Sequence, residues 1–172
     1  MFQIRLATLD DAPRCADIHG RSWMFAYSDI VDKDIIENYS ARWSFVWEKM
    51  LENNTDTHYV ILDDDMIVGF TSINPSRDAD APDGMFELTG LYLDPDHIGK
   101  GYGKQAMDFV KHEAAARGYM AMSLWVLNQN NRAKLFYEKA GFIPDGTKKN
   151  SGLGDTQEER YICKLQEDEL YE

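Results

Sequence analysis

Apolar positions along this chain alternate between two periods, and the changes of period mark its elements. The opening "FQIRLA" predicts a strand. Ala12, Cys15, Ile18 and Trp23 then fall at helical spacing, with Asp10 as the expected cap and Asp11 and Pro13 in the first turn. Ile35, Ile36, Tyr39, Trp43, Val46, Trp47 and Met50 predict a second helical region over residues 32–51. "HYVIL" and "IVGFTSI" flank "DDDM" and read as two strands around a tight acidic turn. "MFELTGLYL" is a longer strand that stops at Asp94-Pro95. "KQAMDFVKHEAAARG" keeps Ala106, Val110 and Ala114 on one helical face and closes at Arg117-Gly118. "MAMSLWVL" is apolar almost throughout, the mark of a buried strand. "NRAKLFYEKAG" is a short helix ending at Gly141, and "FIPDG" and "ERYICKL" finish as strands.

The order is strand, two helices, three strands, helix, strand, helix, two strands. That is an α/β fold: a mixed, mostly antiparallel central sheet flanked by helices. The short links in the middle of the chain favour antiparallel hairpins. The length, 172 residues, suits one domain over 1–172. The stretch rich in Asp and Pro, residues 74–84, reads as a loop inside it.

Composition narrows the picture in three ways. Hydrophobic residues make up 44% of the chain, enough for a real core. The longest apolar run, residues 120–127, falls far short of the roughly 20 residues that span a bilayer. The opening "MFQIRLATLDDAP" has no apolar leader, so a cytoplasmic protein off the membrane is expected. A formal net charge of −12 argues against nucleic acid and anionic lipid as partners. It would attract a cation such as an amine, although solubility alone accounts for it too. The two cysteines form no C-x-x-C pair, and the four histidines show no ligand spacing, so no metal is expected.

"HIGKGYGK", residues 97–104, places glycine at every second position. It is not a Walker A loop, because Ile98 and Gln105 stand where that pattern needs Gly and Ser or Thr. It is not G-x-G-x-x-G either, since Lys104 follows where the third Gly belongs. It does follow a strand and open a helix. Free N–H groups at a helix start suit an anion, and glycines let the backbone close around it. Lys100 and Lys104 add positive charge.

"LYLDPDHIGKGYGKQAM" and "NNRAKLFYEKAGF" together resemble the two signature regions of the GNAT superfamily of N-acetyltransferases. The first is similar to the R/Q-x-x-G-x-G/A motif, with Gly101 and Gly103 on its glycines. The second is similar to N-x-x-A-x-x-F/L-Y-E-K-x-G-F, through Asn130, Ala133, Phe136, Tyr137, Glu138, Lys139, Gly141 and Phe142. "HGRSWMFAYSDI" resembles a stretch common in bacterial members. The resemblance implies acetyl-CoA as acetyl donor. Backbone groups of Leu91, Tyr92 and Leu93 would hold the pantetheine arm. Those of Ile98, Gly99, Lys100, Gly101, Tyr102, Gly103 and Lys104 would hold the pyrophosphate. Asn130 would contact the arm and Asn131, directly before Arg132, would cap the helix, or the two roles are exchanged by one residue. Ile98 departs from the family pattern, which carries Arg or Gln there, and weaker cofactor binding is expected.

Acetyl transfer to an amine has two proton problems. An alkylamine of pKa near 10.4 is free base in about 1 of 2,500 molecules at pH 7, a penalty of roughly 4–5 kcal/mol. Glu87, in a strand otherwise poor in charge, is the candidate base, and a strand-edge carboxylate is the other reading of it. It stands 14 residues before Gly101, a spacing at which a glutamate is the base in some family members. Tyr137, a phenol protonated at pH 7, is the candidate acid for the departing thiolate. Trp23 and Tyr27 either line an acceptor pocket or pack as ordinary helix core. The reading is direct acetyl transfer to a small amine, polyamine or peptide amino group, with a homodimer as a family expectation. The alternative is a non-catalytic acyl-CoA-binding or regulatory module.

Overall fold

Seven strands hydrogen-bond in the order β1-β2-β3-β4-β5-β7-β6 in a computed structural model that describes residues 1–81 and 84–165. Pro82 and Asp83 of the expected loop, and residues 166–172 of the expected domain, lie outside the described residues. The strands are β1 Phe2–Leu6, β2 Thr57–Asp63, β3 Met66–Pro75, β4 Met85–Leu93, β5 Ala121–Leu127, β6 Ile143–Asn150 and β7 Gln157–Lys164. The helices are α1 Ala12–Tyr27, α2 Lys33–Ser40, α3 Trp43–Asn53, α4 Tyr102–Ala116 and α5 Asn131–Lys139. β4 and β5 run parallel, whereas β1–β2, β5–β7 and β6–β7 run antiparallel. This is the mixed, mostly antiparallel sheet with flanking helices that the periodicity predicts.

Two local expectations need correction. The helical region 32–51 is two helices, broken at Ala41 and Arg42, where Arg42 N–H bonds back to the Tyr39 carbonyl at 2.9 Å. The break leaves the period intact because the buried residues Ile36 and Trp47 stand 11 apart, about three helical turns. The start of α1 is not capped by Asp10, which lies in a 3-10 turn over Leu9–Asp11. Asp11 holds the N-cap position of α1, but its side chain makes no bond to that helix and closes the 3-10 turn instead. Its carboxylate accepts the Thr8 N–H at 2.8 Å and both ends of the Arg5 guanidinium at 2.7 and 3.0 Å. The Arg5 bond holds the Asp11 carboxyl below its ordinary pKa, against the effect of burial.

The chain forms two compact units. The first takes Met1–Ser72 and Gly90–Ala106. Its core sets the apolar stripe of α1, Ala12, Cys15 and Ile18, against Trp47 of α3 and Val60, Leu62 and Phe70 of the sheet. Trp47 is 1% exposed and donates its indole N–H to His19 Nδ1 at 3.2 Å. Burial pushes His19 down to about 3, so it is neutral at ordinary pH.

The second unit takes Ile73–Thr89 and the chain from Met107 onward. Its sheet register separates two faces. Phe86, Met122 and Cys163 are cross-strand neighbours on one face, and all are buried. Glu87 and Ser123 pair on the other face, as do Trp125 and Arg160 further along. Lys111 of α4 donates to the Ala140 carbonyl at 2.6 Å and so fixes the end of α5.

Removing the Trp47 side chain empties the centre of the first unit. Trp47→Ala is expected to cost about 3–5 kcal/mol of stability, measured by urea denaturation.

Candidate active site

In the first unit, the end of β4 is held by one carboxylate. Asp94 is 2% exposed, and its Oδ2 accepts Arg14 Nη2 at 2.5 Å and Arg21 Nη1 at 2.7 Å. Its Oδ1 accepts the Asp96 N–H at 3.0 Å and so starts the turn Pro95–His97. The Asp94 N–H donates to the Val68 carbonyl at 2.8 Å. Burial pushes the Asp94 carboxyl up, but the Asp96 N–H and the two guanidinium groups outweigh it, leaving the pKa lowered.

The side chains of the expected pantetheine strand serve the core. Leu91 and Leu93 pack with Ile61, Val68 and Tyr102, and the Tyr92 ring lies 4.9 Å from His19. Ser22 donates its hydroxyl to the Leu93 carbonyl at 2.7 Å, which occupies one of the backbone groups of that strand.

The three glycines of residues 97–104 are not equivalent. Gly99 and Gly101 adopt φ of +84° and +86°, which side-chain-bearing residues rarely adopt. A Cβ built on either would meet nothing within 4 Å, so the space beside them is open. Gly103 lies inside the first turn of α4. The ladder of α4 begins with Gln105 N–H to Gly101 C=O at 3.2 Å, so the amides ahead of it point out of the helix start. Ile98 is half-buried, and its own N–H is directed at the Pro95 carbonyl at 3.5 Å, within the preceding turn. Tyr102 is committed to structure: its ring stacks on Phe2 and its hydroxyl donates to Asp63 at 2.5 Å. Lys100 and Lys104 are exposed beside the open space.

Trp23 is 9% exposed, with Tyr27, Tyr39 and Trp43 at ring-centroid distances of 5.1–5.5 Å, and its indole N–H has no partner. Tyr27 is half-buried, its hydroxyl 3.5 Å from that of Tyr92.

In the second unit, Asn130 is the N-cap of α5, with Oδ1 accepting the Ala133 N–H at 3.2 Å. The helix therefore begins at Asn131 and the cap is Asn130; its amide nitrogen is not used in that bond. Tyr137 is half-buried, 5.4 Å from Phe136 and 6.0 Å from Phe142. Glu87 is half-buried on β4. Burial pushes its carboxyl above the usual range, Asp78 adds repulsion, and the Arg77 N–H and Lys149 only partly offset this.

Around Glu87 the structure assembles residues that no sequence motif marks. Trp125 donates its indole N–H to Asp78 at 3.2 Å. Arg160, 7% exposed, binds Asp80 at 2.7 and 2.8 Å, Asp145 at 2.7 Å and Asp78 at 3.3 Å. Lys149 lies 3.8 Å over the Trp125 ring and 3.6 Å from Glu158. The available sequence signal was the run of aspartates in residues 74–84, which reads only as a loop. Among the described residues no group of three or more His, Cys, Asp or Glu is arranged to hold a metal ion. No helix of the described residues is long and apolar enough to cross a membrane.

Comparison with known proteins agrees with the fold and the two motifs. The family model described as the acetyltransferase (GNAT) family matches residues 14–142. An uncharacterized N-acetyltransferase of Mycobacterium tuberculosis is 31% identical over 163 residues, covering 90% of this chain and 96% of that protein. The PaiA N-acetyltransferase from Thermoplasma acidophilum, solved in complex with coenzyme A, superposes with a TM-score of 0.78 at 23% identity, over 95% of this chain and 99% of that one. YncA from Salmonella typhimurium, solved with its cofactor acetyl-CoA, gives a TM-score of 0.69 at 20% identity, over 97% and 95% of the two chains.

Asp94→Ala removes the shared partner of Arg14 and Arg21 together with the turn cap. It is expected to lower stability by about 1–3 kcal/mol in urea denaturation, and Asp94→Asn, which keeps a cap acceptor, to lower it less.

Proposed function

Because this chain belongs to the acetyltransferase (GNAT) family, we propose that it transfers the acetyl group of acetyl-CoA directly to a primary amine. The match over residues 14–142 runs through stretches of both compact units, which supports their acting as one acetyltransferase domain. The observation that carries the reading is the open space beside Gly99 and Gly101 at the start of α4. Left-handed backbone at both positions turns successive N–H groups towards one side, and an anion of the pyrophosphate type fits such a concavity.

Bound acetyl-CoA would supply a thioester whose acyl carbon the amine attacks as the C–S bond breaks. The chain's own groups account for the rest. Amides of residues 99–104 hold the pyrophosphate, with Lys100 and Lys104 adding charge and Ile98 contributing no polar side chain. Free backbone groups of Leu91, Tyr92 and Leu93, and the amide nitrogen of Asn130, bind the pantetheine arm. A backbone N–H at the strand end polarises the acyl oxygen. Glu87 takes the proton that the acceptor ammonium must lose, directly or through water, and its raised pKa suits that work. Tyr137 gives a proton to the departing sulfur. On the acceptor side, Tyr27 offers its hydroxyl while Trp23 packs behind it.

Thiol release from acetyl-CoA across a panel of amines tests the activity. Turnover with at least one amine is expected, whereas tight coenzyme A binding without turnover would favour the non-catalytic module. Isothermal titration should give micromolar coenzyme A binding, and no binding at millimolar concentration would remove the cofactor reading.

Two variants test the proton carriers. With Glu87 as base, kcat/KM rises with pH and levels off above the raised pKa of its carboxyl. Glu87→Gln should remove that acid limb. Tyr137→Phe should lower kcat at least about tenfold while coenzyme A affinity is kept.

A further inference from the structure

Lys149 of β6 rests its ammonium 3.8 Å from the centroid of the Trp125 ring, with Glu158 Oε1 at 3.6 Å. An aromatic face beside a carboxylate is a seat for an alkylammonium ion. The seat is built rather than incidental. Asp78 accepts the Trp125 indole N–H at 3.2 Å and fixes the ring. Arg160, opposite Trp125 across β7, also lies over the ring, its guanidinium carbon 5.7 Å from the centroid, and is held there by Asp78, Asp80 and Asp145, so Lys149 at 3.8 Å is the nearer cation.

Sheet register places the seat next to the candidate base. Glu87 pairs with Ser123, and Trp125 is two residues further along the same face of β5. That step is about 6.6 Å. Five carboxylates stand here, Glu87, Asp78, Asp80, Asp145 and Glu158, against the cations Arg77, Lys149 and Arg160. Burial pushes Glu87 and Glu158 upward, Asp78 repels both and Glu87 adds to Glu158, while the Lys149 charge lowers both, so the two carboxylates favour a cation held in this seat. Asn74, 5% exposed, adds an unpartnered Oδ1 to this face. The bond from Ser76 N–H to Met85 C=O sets β3 against β4 so that Asn74 falls beside Glu87. A buried acceptor of this kind calls for an N–H donor.

We propose that the acceptor is a dicationic alkylamine whose second ammonium takes the seat on Trp125 and Glu158 that Lys149 fills in the free protein. This rests on the acetyl-transfer reading above. The reacting nitrogen loses its ammonium proton to Glu87, forms the amide C–N bond as the thioester C–S bond breaks, and sheds its second proton as Tyr137 protonates the departing thiolate, so that the acetylated amine and the free thiol of coenzyme A leave. The other nitrogen keeps its proton and its charge. A chain of about four or five methylenes spans the 6.6 Å step. Lys149, on a flexible stem and with 48% of its side chain exposed, swings out to admit the ligand.

The test compares 1,5-diaminopentane with pentylamine by thiol release and by isothermal titration. The diamine is expected to exceed pentylamine in kcat/KM by about tenfold or more. Trp125→Leu and Glu158→Gln should each bring that ratio towards one. Lys149→Met removes the resident occupant and should lower the diamine KM about threefold, with Lys149→Gln as a second variant if the first is unstable. Such a gain is the opposite of what a structural lysine gives. Equal kcat/KM for the two amines, or a Lys149 variant with a raised diamine KM, overturns the proposal and leaves the transferase reading standing. Diamine binding that tightens in Lys149→Met without turnover of any amine keeps the seat and overturns the transferase reading. Neither binding nor turnover overturns both.

Discussion

The end of β4 depends on a single buried carboxylate. Asp94 has to satisfy two guanidinium groups from α1, cap the turn that follows it and stay on the β3 ladder, all within one residue of Leu93. Two of these bonds hold α1, one the turn after the strand and one β3. Arg14 also donates to the Ile67 carbonyl, so α1 is fixed to β3 and β4 at once. The direction in which the chain leaves the strand is therefore set before it reaches Gly99. Loops at ligand sites are commonly mobile, but this one starts from a point fixed by charge-assisted bonds.

The second unit uses its charges differently. Its sheet has one apolar face, with Phe86, Met122 and Cys163, and one polar face, with Glu87, Trp125 and Arg160. Arg160 concentrates three aspartates around one guanidinium and keeps the site's remaining repulsion on Glu87 and Glu158. A carboxylate under such repulsion stays partly basic, which is useful to a group that must accept protons.

Element order was readable from periodicity because burial on a sheet or against a helix imposes it directly. The glycine stretch was readable for a related reason, since backbone geometry at Gly99 and Gly101 constrains residue type. What escaped were features with no local signature. The break at Ala41 and Arg42 leaves the helical phase unchanged, and the start of α1 has no side-chain cap because Asp11 is committed to Arg5 and the Thr8 N–H. Asp94 meets Arg14 and Arg21 across 80 and 73 residues, and no spacing rule reaches that far. The same holds for Trp125, Glu158 and Lys149, which share a sheet face, and for Asp78, which reaches Trp125 from the loop after β3. Asn130 and Asn131 differ by one position, and only the cap bond to Ala133 separates them.

The two left-handed glycines also bear on how this stretch tolerates change. Where main-chain amides form the concavity, the side chains at 98, 100, 102 and 104 are not its walls. Positions 98, 100 and 104 can vary in polarity and size without filling the space, whereas Tyr102 is held by Phe2 and Asp63 and a side chain at 99 or 101 meets a φ that it rarely adopts. Ile98, apolar where relatives of the motif carry Arg or Gln, is then one admissible variant among many. A mutational scan would find 99 and 101 intolerant for their backbone and 102 for its side-chain contacts, with permissive positions between them.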